Sequence, residues 1–149
     1  MRRRAGFSLI EVMTVLAIVC ILGALTVPAL QRYVIRCKRT QAQGALQQLM
    51  QQQERYYSHH NTYLEFSASS TAAAEKAFKW WSGDTAPASA YEMRAAACSG
   101  QALTDCIELT AIPGTANVDS HFADAACGTL TLASDGGHGA SGAAADCWP

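Results

Sequence analysis

Basic side chains are scarce in the second half of this 149-residue chain. From residue 56 onward, only Lys76, Lys79 and Arg94 oppose ten carboxylates. The overall net charge of −1 hides this imbalance, because without the arginines at 2–4 eight basic side chains face twelve acidic ones, a net of −4. An acidic surface repels polyanions, so nucleic acid is not expected among the partners.

Motifs of catalytic and metal sites are also missing. No Cys or His pair has the spacing of zinc ligands, and the adjacent His59 and His60 point apart on a helix or strand. Residues 137–142 lack the Gly-x-Ser-x-Gly pattern of hydrolases and are expected to form turns. Asp135 lacks the spaced acids of a calcium loop. We therefore predict no enzyme activity, no metal and no cofactor.

Charge is nearly absent from Phe7 to Leu30, where Glu11 is the one ionisable carboxylate. As a helix this segment spans roughly 36 Å, enough for a bilayer core of about 30 Å. It is too long for a signal-peptide core of about 7–15 residues, although residues 27–29 resemble a cleavage site. A lone acid in a bilayer costs roughly 2.5–3.5 kcal/mol, so Glu11 needs a cationic partner. Cleavage after Gly6 would create one, the α-amine of Phe7.

The run Gly6-Phe7-Ser8-Leu9-Ile10-Glu11, between a basic leader and a long apolar segment, resembles the processing site of type IV prepilins. The resemblance implies cleavage between Gly6 and Phe7, N-methylation of Phe7, and subunit docking through Glu11. It implies as partners a prepilin peptidase, an inner-membrane assembly platform, and other major and minor pilin subunits. The implied organisation is a leader at 1–6, a transmembrane and filament-core half-helix at 7–30, and a periplasmic or extracellular domain at 31–149.

The first helix is expected to continue beyond the membrane. Pro28 should kink or loosen it locally, but residues 31–58 contain no proline and many good helix formers. Apolar or partly apolar side chains recur there every three or four residues: Ala42, Ala45, Leu46, Leu49, Gln53, Tyr56 and Tyr57. This stripe predicts an amphipathic half-helix that packs on a small domain, with an exit at Asn61.

The rest of the chain predicts a short helix and then strands. The helix candidate is 72–81, and the strand candidates are 91–97, 106–112 and 129–132, with a turn at 134–137. A helix followed by consecutive antiparallel strands indicates an α+β fold with a small antiparallel sheet packed on the long helix. The resemblance implies the same pilin fold.

Four of the six cysteines lie in the second half, which is typical of an exported domain. Cys98 and Cys106 flank a predicted hairpin, while Cys127 and Cys147 bracket the third strand and the C-terminal segment. Spacing alone leaves three connectivities open. This half of the chain resembles PilE-type, competence-like minor pilins, which implies a Cys127–Cys147 bridge that bounds the C-terminal loop.

Three further features have competing interpretations. Cys20 is expected to be a small buried hydrophobe, and Cys37 an unpaired thiol rather than a subunit bridge. Trp80 and Trp81 are expected in the core, with a binding patch as the alternative. A basic cluster could contact lipid phosphates, acidic faces of neighbouring subunits, or water; it comprises Arg32, Arg36, Lys38 and Arg39.

The sequence therefore predicts a structural minor pilin. The subunit would be a single-pass inner-membrane protein with a cytoplasmic N-terminus before assembly, and part of an extracellular pilus afterwards. Two alternatives stay open, a DNA-receptor pilin for natural competence and a type II secretion pseudopilin.

Overall fold

A computed structural model describes residues 8–148, apart from the side chains of Leu25 and Pro28. Gly6 and Phe7 lie outside the described residues. The chain divides into two compact units, the first ending at Arg36 and the second beginning at Cys37. One helix, α1 (Leu9–His60), contributes to both, and it continues through position 28.

Apart from Ser8, the described part of the first unit is helix. The carbonyl of Ser8 accepts hydrogen bonds from the backbone N–H groups of Glu11 and Val12, which starts α1. Many large apolar side chains between Leu9 and Val34 are exposed, because no other element in the described part of this unit covers them. A water-soluble protein does not leave such a surface uncovered, so this half-helix requires lipid or other subunits around it.

The second unit places the amphipathic half of α1 beside a four-stranded antiparallel sheet in the order β1-β2-β3-β4. Two short helical segments precede the sheet, α2 (Ala73–Lys76) and a 3₁₀ turn (Ala86–Ala88). The strands are β1 (Tyr91–Ala97), β2 (Ile107–Pro113), β3 (Leu130–Ala133) and β4 (His138–Ala140). The α+β prediction, the long helix and the antiparallel order are thereby confirmed.

The core forms where the predicted stripe of α1 meets the inner face of the sheet. Ala42, Leu46 and Leu49 are buried in one cluster with the alternating β2 residues Ile107 and Leu109. Each large aliphatic side chain buried in this way contributes about 1.5–3 kcal/mol to folding. The period of α1 and the alternation of β2 therefore predicted the two faces correctly.

The end of α1 is fixed by two local features. Asn61 adopts a positive φ of 55° and its N–H donates to the carbonyl of Tyr57, which ends the helix at the predicted exit. Gln53 is fully buried, and its amide bonds both the N–H and the carbonyl of Leu64. This pair of hydrogen bonds holds the returning chain against the helix.

Two expectations about local structure were wrong. The helix expected at 72–81 is confined to α2, because Phe78 turns back into the core and stacks on Phe66 with ring centroids 5.2 Å apart. Residues 137–142 are not turn alone, since β4 pairs with β3. Glycine and alanine gave β4 no alternating pattern, so only the β3–β4 turn around Gly136 (φ 87°) was visible in the sequence.

Candidate assembly and loop-anchoring sites

Glu11 lies in the first turn of α1 and is exposed among exposed apolar residues. Beside it, the Thr14 hydroxyl donates to the Ile10 carbonyl at 3.0 Å, so this polar side chain is satisfied within the helix. Glu11 is thus an acid on an apolar surface, as the sequence indicated. Its proposed partner, the amine of Phe7, is outside the described residues.

Two disulfides staple the second unit. Cys98 bonds Cys106 across the β1–β2 connection, with Cα atoms 5.4 Å apart. Cys127 bonds Cys147, with Cα atoms 5.5 Å apart, and closes a segment that contains β3 and β4. The structure thus has the pairing that the hairpin position and the resemblance favoured. We call residues 127–147 the C-terminal loop.

A buried ion pair ties the start of the C-terminal loop to α1. The guanidinium of Arg39 donates two hydrogen bonds to the Asp124 carboxylate, at 2.7 and 2.8 Å. The hydroxyl of Tyr91 donates to the same carboxylate at 2.7 Å, and the backbone N–H of Cys127 donates at 3.2 Å. The Asp124 side chain is fully buried and that of Arg39 is 9% exposed. The carboxylate is therefore surrounded by donors from α1, β1 and the loop.

These contacts shift the pKa values of both acids in the group. Burial alone would raise the pKa of the Asp124 carboxyl, but the hydrogen bonds from Arg39, Tyr91 and the Cys127 backbone outweigh it and hold this pKa below its ordinary value. Burial and the hydrogen bond to Asp124 raise the pKa of Tyr91 far above that of an ordinary tyrosine. The fold thus stabilises a charged Asp124 next to a neutral Tyr91.

The end of the C-terminal loop is tied to α1 one turn further along. The side-chain amide of Gln43 donates to the Cys147 carbonyl at 2.5 Å. The indole N–H of Trp148 donates to the Gly139 carbonyl at 2.8 Å, which joins the chain end to β4. Arg39 and Gln43 are four residues apart on one helix face, so a single face of α1 holds both ends of the loop.

The ion pair corrects one expectation. Arg39 was grouped with Arg32, Arg36 and Lys38 as a basic cluster facing lipid, neighbouring subunits or water, yet its partner is Asp124 of the same chain. Because Arg39 and Asp124 are 85 residues apart, no local sequence pattern predicts that they pair. The only hint was the position of Arg39 on the helix, three residues before Ala42 and seven before Leu46, which places it on the same face as the predicted stripe.

The two tryptophans are both half-buried. Trp80 packs against the core, and its ring lies 5.0 Å from that of Trp81 in an edge contact. Trp81 donates its indole N–H to the Asp84 carbonyl, and the Lys79 ammonium lies 5.6 Å from its ring centroid. The core prediction holds for Trp80, whereas Trp81 belongs to the surface of the chain.

The remaining cysteines are both free and exposed. For Cys37, the choice between an unpaired thiol and a bridge between subunits stays a prediction, because one chain alone does not test contacts between subunits. Cys20 is exposed in the single chain, like the described half-helix around it, so its burial by lipid or by other subunits stays a prediction. Within residues 8–148, no group of three or more His, Cys, Asp or Glu side chains is placed to hold a metal ion.

Comparison with known proteins identifies the family. Residues 28–131 match the profile of a family described as type IV minor pilin ComP, DNA uptake sequence receptor. The chain belongs to the type IV minor pilins. Residues 1–27 of this pilin match the prokaryotic N-terminal methylation motif. Its helix α1 is also long and apolar enough to cross a membrane, by length and composition.

Individual proteins that resemble this chain include one curated sequence relative and two solved structures. The pilin is 33% identical to the type IV major pilin protein PilA of Myxococcus xanthus over 95 residues, which are 64% of this chain and 43% of that protein. The chain therefore matches less than half the length of this curated relative. Its fold resembles the non-core minor pilin PilV of Neisseria meningitidis, with a TM-score of 0.51, 18% identity and coverage of 77% of this chain and 94% of that one. A type IV pilin from Shewanella oneidensis matches with a TM-score of 0.46 at 23% identity, over 77% of this chain and 98% of that one.

Proposed function

We propose that this pilin is a structural minor subunit of a type IV pilus. It is inserted in the inner membrane with its N-terminus in the cytoplasm, cleaved after Gly6, methylated at Phe7, and polymerised through the apolar half of α1. Its partners are a prepilin peptidase, an inner-membrane assembly platform and other pilin subunits. This role is mechanical, and no catalysis is required of the chain.

One observation supports this proposal above the others. An exposed apolar half-helix carries a single carboxylate, Glu11, in its first turn and continues directly into a disulfide-stapled domain. Burying that half-helix among identical helices replaces lipid contacts at little cost, provided that Glu11 has a cationic partner. The amine of a neighbouring Phe7 provides the required charge.

Substitution of Glu11 tests the docking role. We expect Glu11→Gln to leave cleavage and methylation intact but to reduce incorporation into sheared filaments by more than about tenfold, because an unpaired buried amine costs several kcal/mol. Mass spectrometry of the membrane-extracted protein reports the cleavage site and the methyl group, and quantitative immunoblotting reports incorporation. Glu108→Gln, which removes an exposed acid of β2, is the matched control. Normal incorporation of the Glu11 variant would count against the proposal.

A second candidate, a DNA-receptor pilin, is favoured by the match to a family described as a DNA uptake sequence receptor. The charge of the chain from residue 56 onward argues against it, since three basic residues face ten acidic ones there. A gel-shift titration with duplex DNA at low salt separates the two functions. The protein used is the chain without its first 30 residues. We expect no retarded complex, and tight binding that weakens steeply with salt would favour the receptor.

A further inference from the structure

We propose that Arg32, Tyr33 and Arg36 form a binding site for the phosphate headgroups of anionic phospholipids, at the point where α1 leaves the membrane. The site would hold the subunit before it enters a filament. This inference rests on the membrane insertion in the proposed function.

The position of the two arginines along α1 is the first argument. Leu9 to Leu30 spans about 32 Å of helix, which matches a hydrocarbon core of about 30 Å. No charged residue occurs between Glu11 and Arg32. Arg32 therefore follows Leu30, the last residue of this apolar run, by half a turn, and Arg36 follows by one turn more. Both lie at the depth of the headgroups.

The arrangement around the helix is the second argument. Ala29, Arg32, Tyr33 and Arg36 line one shallow concave surface of the first unit, and all four are exposed. Their spacing of three and four residues places them on one face. The small side chain of Ala29 leaves room beside two guanidinium groups and a phenol. Each guanidinium can donate two parallel hydrogen bonds to phosphate oxygens, and tyrosine is typical of the membrane interface.

The direction of the helix is the third argument. Long side chains on a helix lean toward its N-terminus, which for α1 is the membrane side. Arginines on the exported side also oppose the usual bias of basic residues toward the cytoplasm. An anionic headgroup offsets that disadvantage. A zwitterionic headgroup offsets it less, because it carries an ammonium group of its own. The site should therefore select lipids by net charge.

Energy transfer from a single dye measures this selection directly. Because four cysteines are in disulfides, a thiol-reactive donor used without reductant labels only Cys37 once Cys20 is changed to Ala. The full-length chain is reconstituted in phosphatidylcholine vesicles with a minority of phosphatidylglycerol. The acceptor dye is carried on phosphatidylglycerol in one preparation and on phosphatidylcholine in the other.

We expect transfer to labelled phosphatidylglycerol to exceed transfer to labelled phosphatidylcholine by about two- to fivefold, and to fall with added salt. The double variant Arg32→Gln/Arg36→Gln should lose the preference. The control Arg55→Gln/Lys76→Gln, which removes two exposed charges of the second unit, should keep it.

Three results would overturn the site. Equal transfer to both lipids in the otherwise unchanged chain would show that no selection exists. A preference that survives Arg32→Gln/Arg36→Gln would assign it to other groups. In that case, poor entry of the variant into filaments would assign the arginines to contacts between subunits instead. Extraction of the chain by alkaline carbonate would reject membrane insertion itself, and with it both the proposed function and the site.

Discussion

The two units of this pilin stabilise their shared helix in opposite ways. In the part that the structure describes, the first leaves many large apolar side chains between Leu9 and Val34 exposed and has no core of its own. The second buries Leu46 and Leu49 against a sheet and adds two disulfides and a buried ion pair. Stability of the second unit is therefore internal, whereas the first depends on its surroundings. Substitutions in the two units should consequently respond to different experiments.

The largest expected effect comes from the buried ion pair. Asp124→Ala leaves the Arg39 guanidinium buried without its partner, and we expect a loss of about 3–5 kcal/mol in the free energy of unfolding. Thermal unfolding of the detergent-solubilised chain, followed by circular dichroism, measures the loss. Asp135→Ala, which removes an exposed turn acid, is the control and should change little. A loss of under 1 kcal/mol for Asp124→Ala would show that the pair does not anchor the loop.

Matched leucine truncations test the contrast between the units most directly. Leu46→Ala should destabilise the second unit by about 2–5 kcal/mol, since it empties a fully buried site. Leu16→Ala, at an exposed position of the first unit, should leave that unfolding transition unchanged. When incorporation into filaments is measured instead, Leu16→Ala should have the larger effect and Leu46→Ala the smaller one. If the two variants had equal effects in both assays, the two units would not differ in what stabilises them.

The disulfides should differ with the length of the segment each closes. Cys127→Ser/Cys147→Ser opens a separation of 20 residues and Cys98→Ser/Cys106→Ser one of 8. Chain entropy then predicts losses of about 3 and about 2.5 kcal/mol. Urea unfolding without reductant compares the two double variants. A larger loss for the shorter bridge would point to contacts specific to the β1–β2 connection.

The smallest effect concerns acid. Because the pKa of Asp124 is lowered in the fold, its contribution to stability is complete above the unfolded pKa of about 3.9 and is lost as pH falls through the lower folded pKa. We expect the unfolding free energy to drop below about pH 4. The drop should be shallower in Asp124→Asn, which has no carboxyl at this position. Identical slopes in the two proteins would assign the acid sensitivity to other carboxyls.

Much of the fold was readable because its signals are local. The three- and four-residue spacing of Ala42, Leu46 and Leu49 specified the buried face of α1, and alternation in β2 specified the inner face of the sheet. Strand β4 was not predicted, because His138-Gly139-Ala140 has no alternating pattern and pairs only once β3 is in place. The short helix was overestimated because packing of Phe78 overrode a favourable local composition.

The sequence by itself determined which half of α1 depends on its surroundings and which half packs within the chain. An apolar run whose single charge is one early acid is stable in few environments. A glutamine-rich amphipathic helix followed by strands of alternating apolar and polar residues can pack in few ways. Tertiary structure alone decided what anchors the C-terminal loop. Arg39 and Asp124 are 85 residues apart, and an arginine beside other basic residues resembles any solvated helix face until the fold buries it. Burial of charge is a property of the assembled core, because it depends on donors that converge from separate elements.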